Sequence, residues 1–149
     1  MILPGGEKLI KQILVIDGQG GGIGSVLIKG LREKYGESIE ILALGTNAIA
    51  TSQMMKARAN RGATGENAII RSVIEADLII GPISITWAHA MMGEVTPRMA
   101  EAIMSCLAPK ILLPLSRERV TLVGLSDEPL PHLVDEIVNS KIKEFLQNV

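Results

Sequence analysis

One glycine-rich segment, Asp17-Gly18-Gln19-Gly20-Gly21-Gly22-Ile23-Gly24, constrains the fold of this chain more than any other feature. It directly follows the apolar run Ile13-Leu14-Val15-Ile16, which is typical of a strand that is buried on both faces. Apolar residues then recur at helical spacing, at Ile23, Val26, Leu27, Leu31 and Tyr35. The sequence therefore predicts a strand, a glycine loop and a helix. Such a unit points free N–H groups and the positive end of a helix at an anion.

The rest of the chain alternates between short apolar runs and helical periods, which is the pattern of βαβ units. Strands are predicted at residues 39–44, 78–80, 111–113 and 120–123. Residues 83–87 alternate like a strand, whereas residues 86–92 fit a helical turn equally well. Helices are predicted from a cap at Thr46 or Asn47 to about residue 60, after the turn Gly62-Ala63-Thr64-Gly65, from Thr96-Pro97 and from Pro131. The last two predicted strands are too close in sequence for a parallel crossover, so we expect the last one to be antiparallel.

These elements predict a three-layer α/β sandwich of Rossmann-like type, with a mostly parallel sheet of about five strands and an antiparallel edge strand. Residues 1–11 are expected to form a flexible leader and residues 12–149 a single domain. In such a fold, ligands bind beyond the carboxyl ends of the strands. The residues at those ends that we predict to bind a cofactor are Asp17, Gly18, Gln19, Gly20, Gly21, Gly22, Ile23, Gly24, Gly45, Thr46, Asn47, Gly81 and Pro82.

The glycine spacing resembles the cofactor loop of short-chain dehydrogenases. Their pattern G-x-x-x-G-x-G fits at Gly18, Gly22 and Gly24, whereas G-x-G-x-x-G and the phosphate-loop pattern G-x-x-x-x-G-K-[ST] do not fit. The Tyr-x-x-x-Lys pair of that family is absent, because Tyr35 is followed by Ile39 at the lysine position. The end of the second strand also lacks an acidic residue for a ribose, which disfavours NAD. The loop therefore predicts a small anionic ligand, a nucleotide or a phosphorylated metabolite, without dehydrogenase chemistry.

Beyond the leader, nearly the whole chain resembles a bacterial family of small proteins that is known only as a domain of unknown function. Four segments carry the resemblance: Ile16-Asp17-Gly18-Gln19-Gly20-Gly21-Gly22-Ile23-Gly24, Ala43-Leu44-Gly45-Thr46-Asn47-Ala48, Gly62-Ala63-Thr64-Gly65-Glu66-Asn67-Ala68-Ile69 and Ile79-Ile80-Gly81-Pro82. The resemblance implies the same Rossmann-like fold. It brings no activity with it.

The carboxylate of Asp17 has two possible roles. A carboxylate beside a phosphate loop repels an anion, unless it accepts hydrogen bonds from loop N–H groups or a cation bridges the two. We favour the first role, in which Asp17 organises the loop, and keep a Mg²⁺ bridge as the alternative. No resident metal site is predicted, since the single cysteine, Cys106, excludes a multi-cysteine cluster.

Two further hypotheses remain open. In the first, the protein is a small enzyme that acts on a phosphorylated or carboxylated substrate, with Asp17, Glu66 or His89 as acid–base groups that converge in one subunit or across a homodimer. His89 and Glu94 are a candidate base and acid in one loop. In the second, the glycine loop is only a tight turn, and the protein is a non-catalytic oligomer whose contacts involve the methionine-rich segments. The methionines concerned are Met54, Met55, Met91 and Met92.

The composition excludes several classes of partner. The 15 basic and 16 acidic residues nearly balance, so the chain lacks the basic surface of a nucleic-acid-binding protein. Aromatic residues make up only 2% of the chain, which leaves no platform on which bases could stack. No apolar run approaches the roughly 18 residues of a membrane span. We therefore predict a cytoplasmic protein with neither nucleic-acid nor membrane partners.

Overall fold

The first apolar run forms the central strand of a parallel sheet. The computed structural model describes residues 11–147, so the predicted leader lies outside the described residues except for Lys11. Five strands pair in the order β3-β2-β1-β4-β5, and all four neighbouring pairs are parallel. They are β1 (Gln12–Asp17), β2 (Glu40–Gly45), β3 (Arg61–Thr64), β4 (Leu78–Pro82) and β5 (Lys110–Leu113).

Helices cover both faces of this sheet. They are α1 (Gly22–Tyr35), α2 (Ala48–Lys56), α3 (Glu66–Val73), α4 (Pro97–Ser105), α5 (Leu130–Glu136) and α6 (Ile142–Gln147), with a 3-10 turn at Ile83–Thr86 and a π turn, Ile137–Lys141, that joins α5 to α6. Within β1, Ile13 and Val15 pack with residues of α1, α2, α5 and α6, while Leu14 and Ile16 pack with residues of α3 and α4. The predicted three-layer Rossmann-like α/β fold is confirmed. None of the described helices has both the length and the apolar character needed to cross a membrane.

The predicted antiparallel edge strand is wrong. Residues 120–123 form no strand and lie in an exposed loop between β5 and α5. Val120 and Val123 are exposed, so the β-branched pattern that predicted the strand has no sheet to pack against. An alternating apolar pattern describes a half-buried strand only when a neighbouring strand or helix buries one of its faces. The sheet therefore ends at β5, and it is parallel throughout.

The other edge strand was not predicted. Gly62-Ala63-Thr64, taken from the sequence as a turn, belongs to β3, which pairs in register with residues 42–45 of β2. Most of β3 is exposed, so it carries no apolar run that periodicity could detect. Because the chain has to turn into β3, α2 ends earlier than predicted, at Lys56. Arg58 adopts a left-handed φ of 82° in this turn. Residues 83–86 form the 3-10 turn rather than a strand.

A buried arginine ties the turn between α2 and β3 to the end of α1. Arg32 is only 5% exposed. Its Nε donates to the Arg58 carbonyl at 2.8 Å, its Nη1 donates to the carbonyls of Gly36 and Ile39 at 2.8 and 3.0 Å, and its Nη2 donates to Oδ1 of Asn60. Burial lowers the pKa of this guanidinium. One side chain thus satisfies the carbonyls that two chain reversals leave unpaired.

We expect Arg32→Met to lower the free energy of unfolding by about 3 kcal/mol, because buried carbonyls lose their donors while the apolar volume is kept. Lys29→Met, an exposed change on the same helix, should cost less than about 0.5 kcal/mol. Urea unfolding followed by circular dichroism measures both values. Equal losses in the two variants would contradict the structural role of Arg32.

Candidate functional site

The strand order places a topological switch at β1. From β1 the chain passes to β2 on one side and, after β3, returns to β4 on the other side. Loops that leave neighbouring strands in opposite directions open a crevice between them, and ligands bind there in this class of fold. A cleft of about 710 Å³ lies at this position. Its lining residues are Asp17, Gly18, Gln19, Gly20, Gly21, Gly22, Ile23, Pro82, Ser84, His89, Met91, Met92, Leu115, Ser116, Arg117 and Glu118.

Only part of the predicted binding set lines this cleft. Residues 17–23 and Pro82 do so, whereas Gly24, Gly45, Thr46, Asn47 and Gly81 do not. Those five contact the loop or the sheet beneath it. A Cβ at Gly81, for example, would collide with the carbonyl oxygen of Ile16, so that glycine allows β1 and β4 to approach each other.

Asp17 organises the glycine loop from below. The side chain is 3% exposed, and its Oδ1 and Oδ2 accept hydrogen bonds from the backbone N–H groups of Gly18 at 2.8 Å and Gly24 at 2.7 Å. Burial raises the pKa of this carboxyl, with a smaller rise from Glu94, while the N–H groups of Gly24, Gly18 and Ile23 oppose the rise. Both carboxylate oxygens therefore face backbone N–H groups, as the organising role requires.

Two amides of the loop remain for a ligand. The Gly18 and Gly24 amides bind Asp17, the Gln19 amide donates to Glu94, and the Gly21 amide donates to the Gly18 carbonyl at 2.9 Å. The Ile23 amide also faces the Asp17 carboxylate. Within the described part of the chain, the amides of Gly20 and Gly22 have no hydrogen-bond acceptor, and both residues are exposed. They stand at the start of a 14-residue helix, where the helix dipole favours an anion.

Glu94 ties the loop after β4 to the loops after β1 and β2. Its Oε1 accepts three hydrogen bonds, from the Gln19 amide at 2.8 Å, the Thr46 hydroxyl at 2.6 Å and the Asn47 side-chain amide at 2.8 Å. Burial raises the pKa of Glu94, but these donors outweigh burial and leave the pKa lowered. The chain thus crosses above Gly18, where a Cβ would lie 2.5 Å from the Met91 sulfur and 3.0 Å from Oε1 of Glu94. Only glycine fits beneath this crossing.

The loop that crosses above Gly18, residues 87–96 and called the crossing loop below, has a strained backbone. His89, Met91 and Met92 adopt left-handed φ values of 69°, 57° and 56°. Such values are costly for residues with a Cβ and persist only where surrounding contacts impose them. Here the His89 amide donates to the Val95 carbonyl at 2.6 Å, and the Met91 amide donates to Oε1 of Glu118 at 2.8 Å. Strain of this kind is concentrated at binding sites, and this loop lines the cleft.

The three predicted acid–base residues do not form one group. Glu66 does not line the cleft, and its carboxylate accepts from the Thr96 hydroxyl at 2.6 Å and lies 3.6 Å from Arg98. Asp17 lines the cleft but has both oxygens bound to the loop. His89 is exposed and lines the cleft. His89 and Glu94, the candidate base and acid of one loop, form no hydrogen bond with each other, and Oε1 of Glu94 accepts from three donors of the loops after β1 and β2.

Four polar residues of the cleft were not predicted from the sequence, namely Ser84, Ser116, Arg117 and Glu118. Ser84 lies in the turn that the sequence left ambiguous. The other three follow β5, and the rule that placed Gly81 and Pro82 at a strand end applies equally to them. The sequence predicts a strand at residues 120–123, and that prediction leaves these three residues in a short connection between two strands.

A family model described as Domain of unknown function (DUF3842) matches residues 12–146. This match confirms the predicted resemblance to a family without known activity. No curated protein matches the chain. Among solved structures, the fold is similar to a crystal structure of a dodecameric FMN-dependent UbiX-like decarboxylase from Escherichia coli O157:H7, with 18% identity, a TM-score of 0.48 and coverage of 91% of this chain and 93% of that chain. A likeness at this level transfers neither ligand nor chemistry.

Glu94→Gln should lower the free energy of unfolding by about 2 kcal/mol near neutral pH, because charge-assisted hydrogen bonds to the loops are lost. Since the folded pKa of Glu94 is lowered, its contribution is complete above the ordinary glutamate value of about 4.3 and disappears as the pH falls through the folded value. The stability difference between wild type and variant should therefore shrink in acid. Urea titrations over a pH series measure it.

Glu101→Gln, an exposed change on α4, is the matched control and should show no such dependence. A difference between wild type and Glu94→Gln that stays constant down to acid pH would contradict the role given to the Glu94 charge.

Proposed function

We propose that this chain, which belongs to the DUF3842 family, binds a nucleotide or another phosphorylated metabolite in the cleft after β1, without dehydrogenase chemistry. The observation that carries the proposal is the pair of exposed, unengaged amides at Gly20 and Gly22. They lie at the N-terminus of α1 and inside a cleft at the topological switch point. A phosphate group is the ligand that such amides bind best.

Arg117 and the withdrawn position of Asp17 support an anionic ligand, while the other acid that lines the cleft, Glu118, accepts from the Met91 amide at 2.8 Å. Arg117 lines the wall formed by the loop after β5, and a guanidinium binds phosphate oxygens in a bidentate manner. The acidic group nearest the loop, Asp17, is withdrawn: it is buried, and its oxygens face the Gly18 and Gly24 amides. The loop therefore presents N–H groups, rather than a carboxylate, to the cleft.

The position of the only tyrosine supports the absence of dehydrogenase chemistry. Tyr35 ends α1, at the opposite end of the helix from the glycine loop, and its hydroxyl donates to the Val138 carbonyl at 2.7 Å. It therefore has a structural role. The likeness of the glycine spacing to short-chain dehydrogenases thus extends to anion binding and not to hydride transfer.

The two alternative hypotheses receive less support. Of its three candidates, the enzyme hypothesis keeps only His89 in the cleft with a side chain that forms no hydrogen bond to the described residues. The oligomer hypothesis loses two of its four methionines, because Met54 is buried in the core and Met91 packs on Gly18. Met92 is 94% exposed at the cleft, and Met55 is partly exposed on α2. Oligomerisation and a cytoplasmic location stay predictions.

A thermal-shift panel tests the proposal directly. A ligand that binds only the native state must raise the melting temperature. The panel contains NAD, NADP, ATP, GTP, FAD, FMN, coenzyme A, AMP and ribose 5-phosphate. At least one compound should stabilise the protein, and the proposal fails if none does at saturating concentration.

Arg117→Gln should weaken the tightest of these ligands about tenfold in isothermal titration calorimetry, because a charge-assisted contact with phosphate is lost. Arg119→Gln is the matched control. It makes the same charge change in the same exposed loop but does not line the cleft, so it should alter the dissociation constant less than about twofold. Equal effects of the two substitutions would mean that the ligand senses only the net charge and does not contact Arg117.

A further inference from the structure

One side of the cleft is already occupied by the protein itself. In dinucleotide-binding folds, one nucleotide extends over the end of the second strand, where an acidic residue binds its ribose. In this chain the corresponding residues, Thr46 and Asn47, hydrogen-bond to Oε1 of Glu94. Asn47 also donates to the Gln19 carbonyl at 2.9 Å. No residue of the loop after β2 lines the cleft. A ligand that extended toward β2 would have to displace Glu94 from three donors.

The free backbone amides of the glycine loop match a single phosphate group. Between Gly18 and Gly24 the loop has two unengaged amides, those of Gly20 and Gly22, and the cleft adds one guanidinium, that of Arg117. A second phosphate would find no further free amide in the loop, since the Gly18, Gln19, Gly21 and Gly24 amides are bound within the protein and the Ile23 amide faces Asp17.

Ser84 is an independent observation that points to a ligand. It is 4% exposed and lines the cleft, yet its hydroxyl has no hydrogen-bond partner among the described residues. Every fully buried side-chain nitrogen or oxygen in that part of the chain does have a partner, so the hydroxyl of Ser84 is reached from the cleft. This hydroxyl is therefore free to form a hydrogen bond with a molecule in the cleft.

The sheet register places Ser84 at the same edge of the sheet as the glycine loop. The last pair of β1 with β4 is Val15 with Ile80, and Asp17 and Pro82 each lie two residues beyond it. Ser84 follows Pro82 closely, across the cleft from the glycine loop. The Gly20 and Gly22 amides and Ser84 line the same cleft, so one molecule in the cleft can contact all three.

We propose that the ligand is a compound with a single phosphate group, esterified to a polar organic part such as a sugar or a nucleoside. Its phosphate binds Gly20, Gly22 and Arg117, and a hydroxyl, carbonyl or ring nitrogen of the organic part bonds to Ser84. The organic part extends toward β4 and β5, and Glu94 excludes dinucleotides from the β2 side. This inference rests on the proposed function and narrows its ligand to one class.

Calorimetric titrations of the whole protein with five probes test it. The probes are ribose 5-phosphate, AMP, butyl phosphate, NAD and inorganic phosphate. Ribose 5-phosphate or AMP should bind at least tenfold more tightly than butyl phosphate, which has no group for Ser84, and than NAD, which contains an AMP moiety within a dinucleotide. Ser84→Ala should weaken the better of the two polar monoesters about fivefold, the value of one hydrogen bond, and leave inorganic phosphate unchanged.

Ser52→Ala, an exposed change on α2 away from the cleft, is the control and should change no dissociation constant. NAD binding as tightly as AMP, butyl phosphate binding as tightly as ribose 5-phosphate, or an unaltered affinity in Ser84→Ala would each overturn this inference while phosphate binding itself stands. If neither these probes nor any compound of the larger panel binds, the proposed function fails and the inference fails with it.

Discussion

The geometry of the candidate site depends on one buried carboxylate. Helix α1 begins at a glycine N-cap, Gly21, that has no side chain to satisfy the first amides of the helix. Asp17 takes over this role from the end of β1, because its two oxygens accept from Gly18 at the start of the loop and from Gly24 in the first turn of α1. The loop is thereby closed on itself, and the amides of Gly20 and Gly22 are left facing the cleft. Hydrogen bonds to the charged form offset the desolvation of this carboxylate, although burial still dominates its pKa.

The pKa of a second carboxylate, that of Glu94, is shifted in the opposite direction. Glu94 is less buried than Asp17 and receives three donors on one oxygen, so its pKa is lowered whereas that of Asp17 is raised. Glu94 also raises the pKa of Asp17, which means that the loop carries two interacting acids above and below the same glycines. Both carboxylates accept hydrogen bonds from neighbouring backbone or side-chain donors. Neither presents that charge to the cleft, which makes the proposed anion site compatible with two acidic residues so close to it.

The sequence predicted those parts of the structure that are decided locally. The run at residues 13–16 and the glycines after it predicted β1, the loop and α1, because burial on both faces leaves an uninterrupted apolar signal. The edges of the sheet were not predictable in this way. Arg61–Thr64 pairs with β2 through its backbone while its side chains face solvent, so hydrophobicity carries no trace of it. Residues 120–123 show the converse, an apolar alternation that finds no partner strand in the described chain.

The glycine loop of the site was predictable from the sequence, but the residues that face it from the loops after β4 and β5 were not. They lie far from the glycine loop along the chain. The hydrogen bond from Gln19 to Glu94 joins residues that are 75 positions apart, and no local pattern distinguishes this glutamate from an exposed one. Its role follows only from the parallel order of the strands, which brings the loops after β1, β2 and β4 to one edge. The glycine, threonine, asparagine and proline residues at the strand ends indicated that edge of the sheet. The charged residues Glu94 and Arg117 carry no such local signal.

The three loops of the cleft are mechanically linked, and the linkage explains why its open side faces β4 and β5. Glu94 fixes the end of the crossing loop to the β2 side, while the Met91 amide in the middle of that loop is held by Glu118 from the loop after β5. Met91 in turn packs on Gly18, so the glycine loop, the crossing loop and the loop after β5 share one set of contacts. Two side chains of the cleft, the Ser84 hydroxyl and the Arg117 guanidinium, form no hydrogen bond with the described residues. A ligand held there completes hydrogen bonds that the chain leaves open, whereas a ligand on the β2 side would compete with hydrogen bonds that the chain already makes.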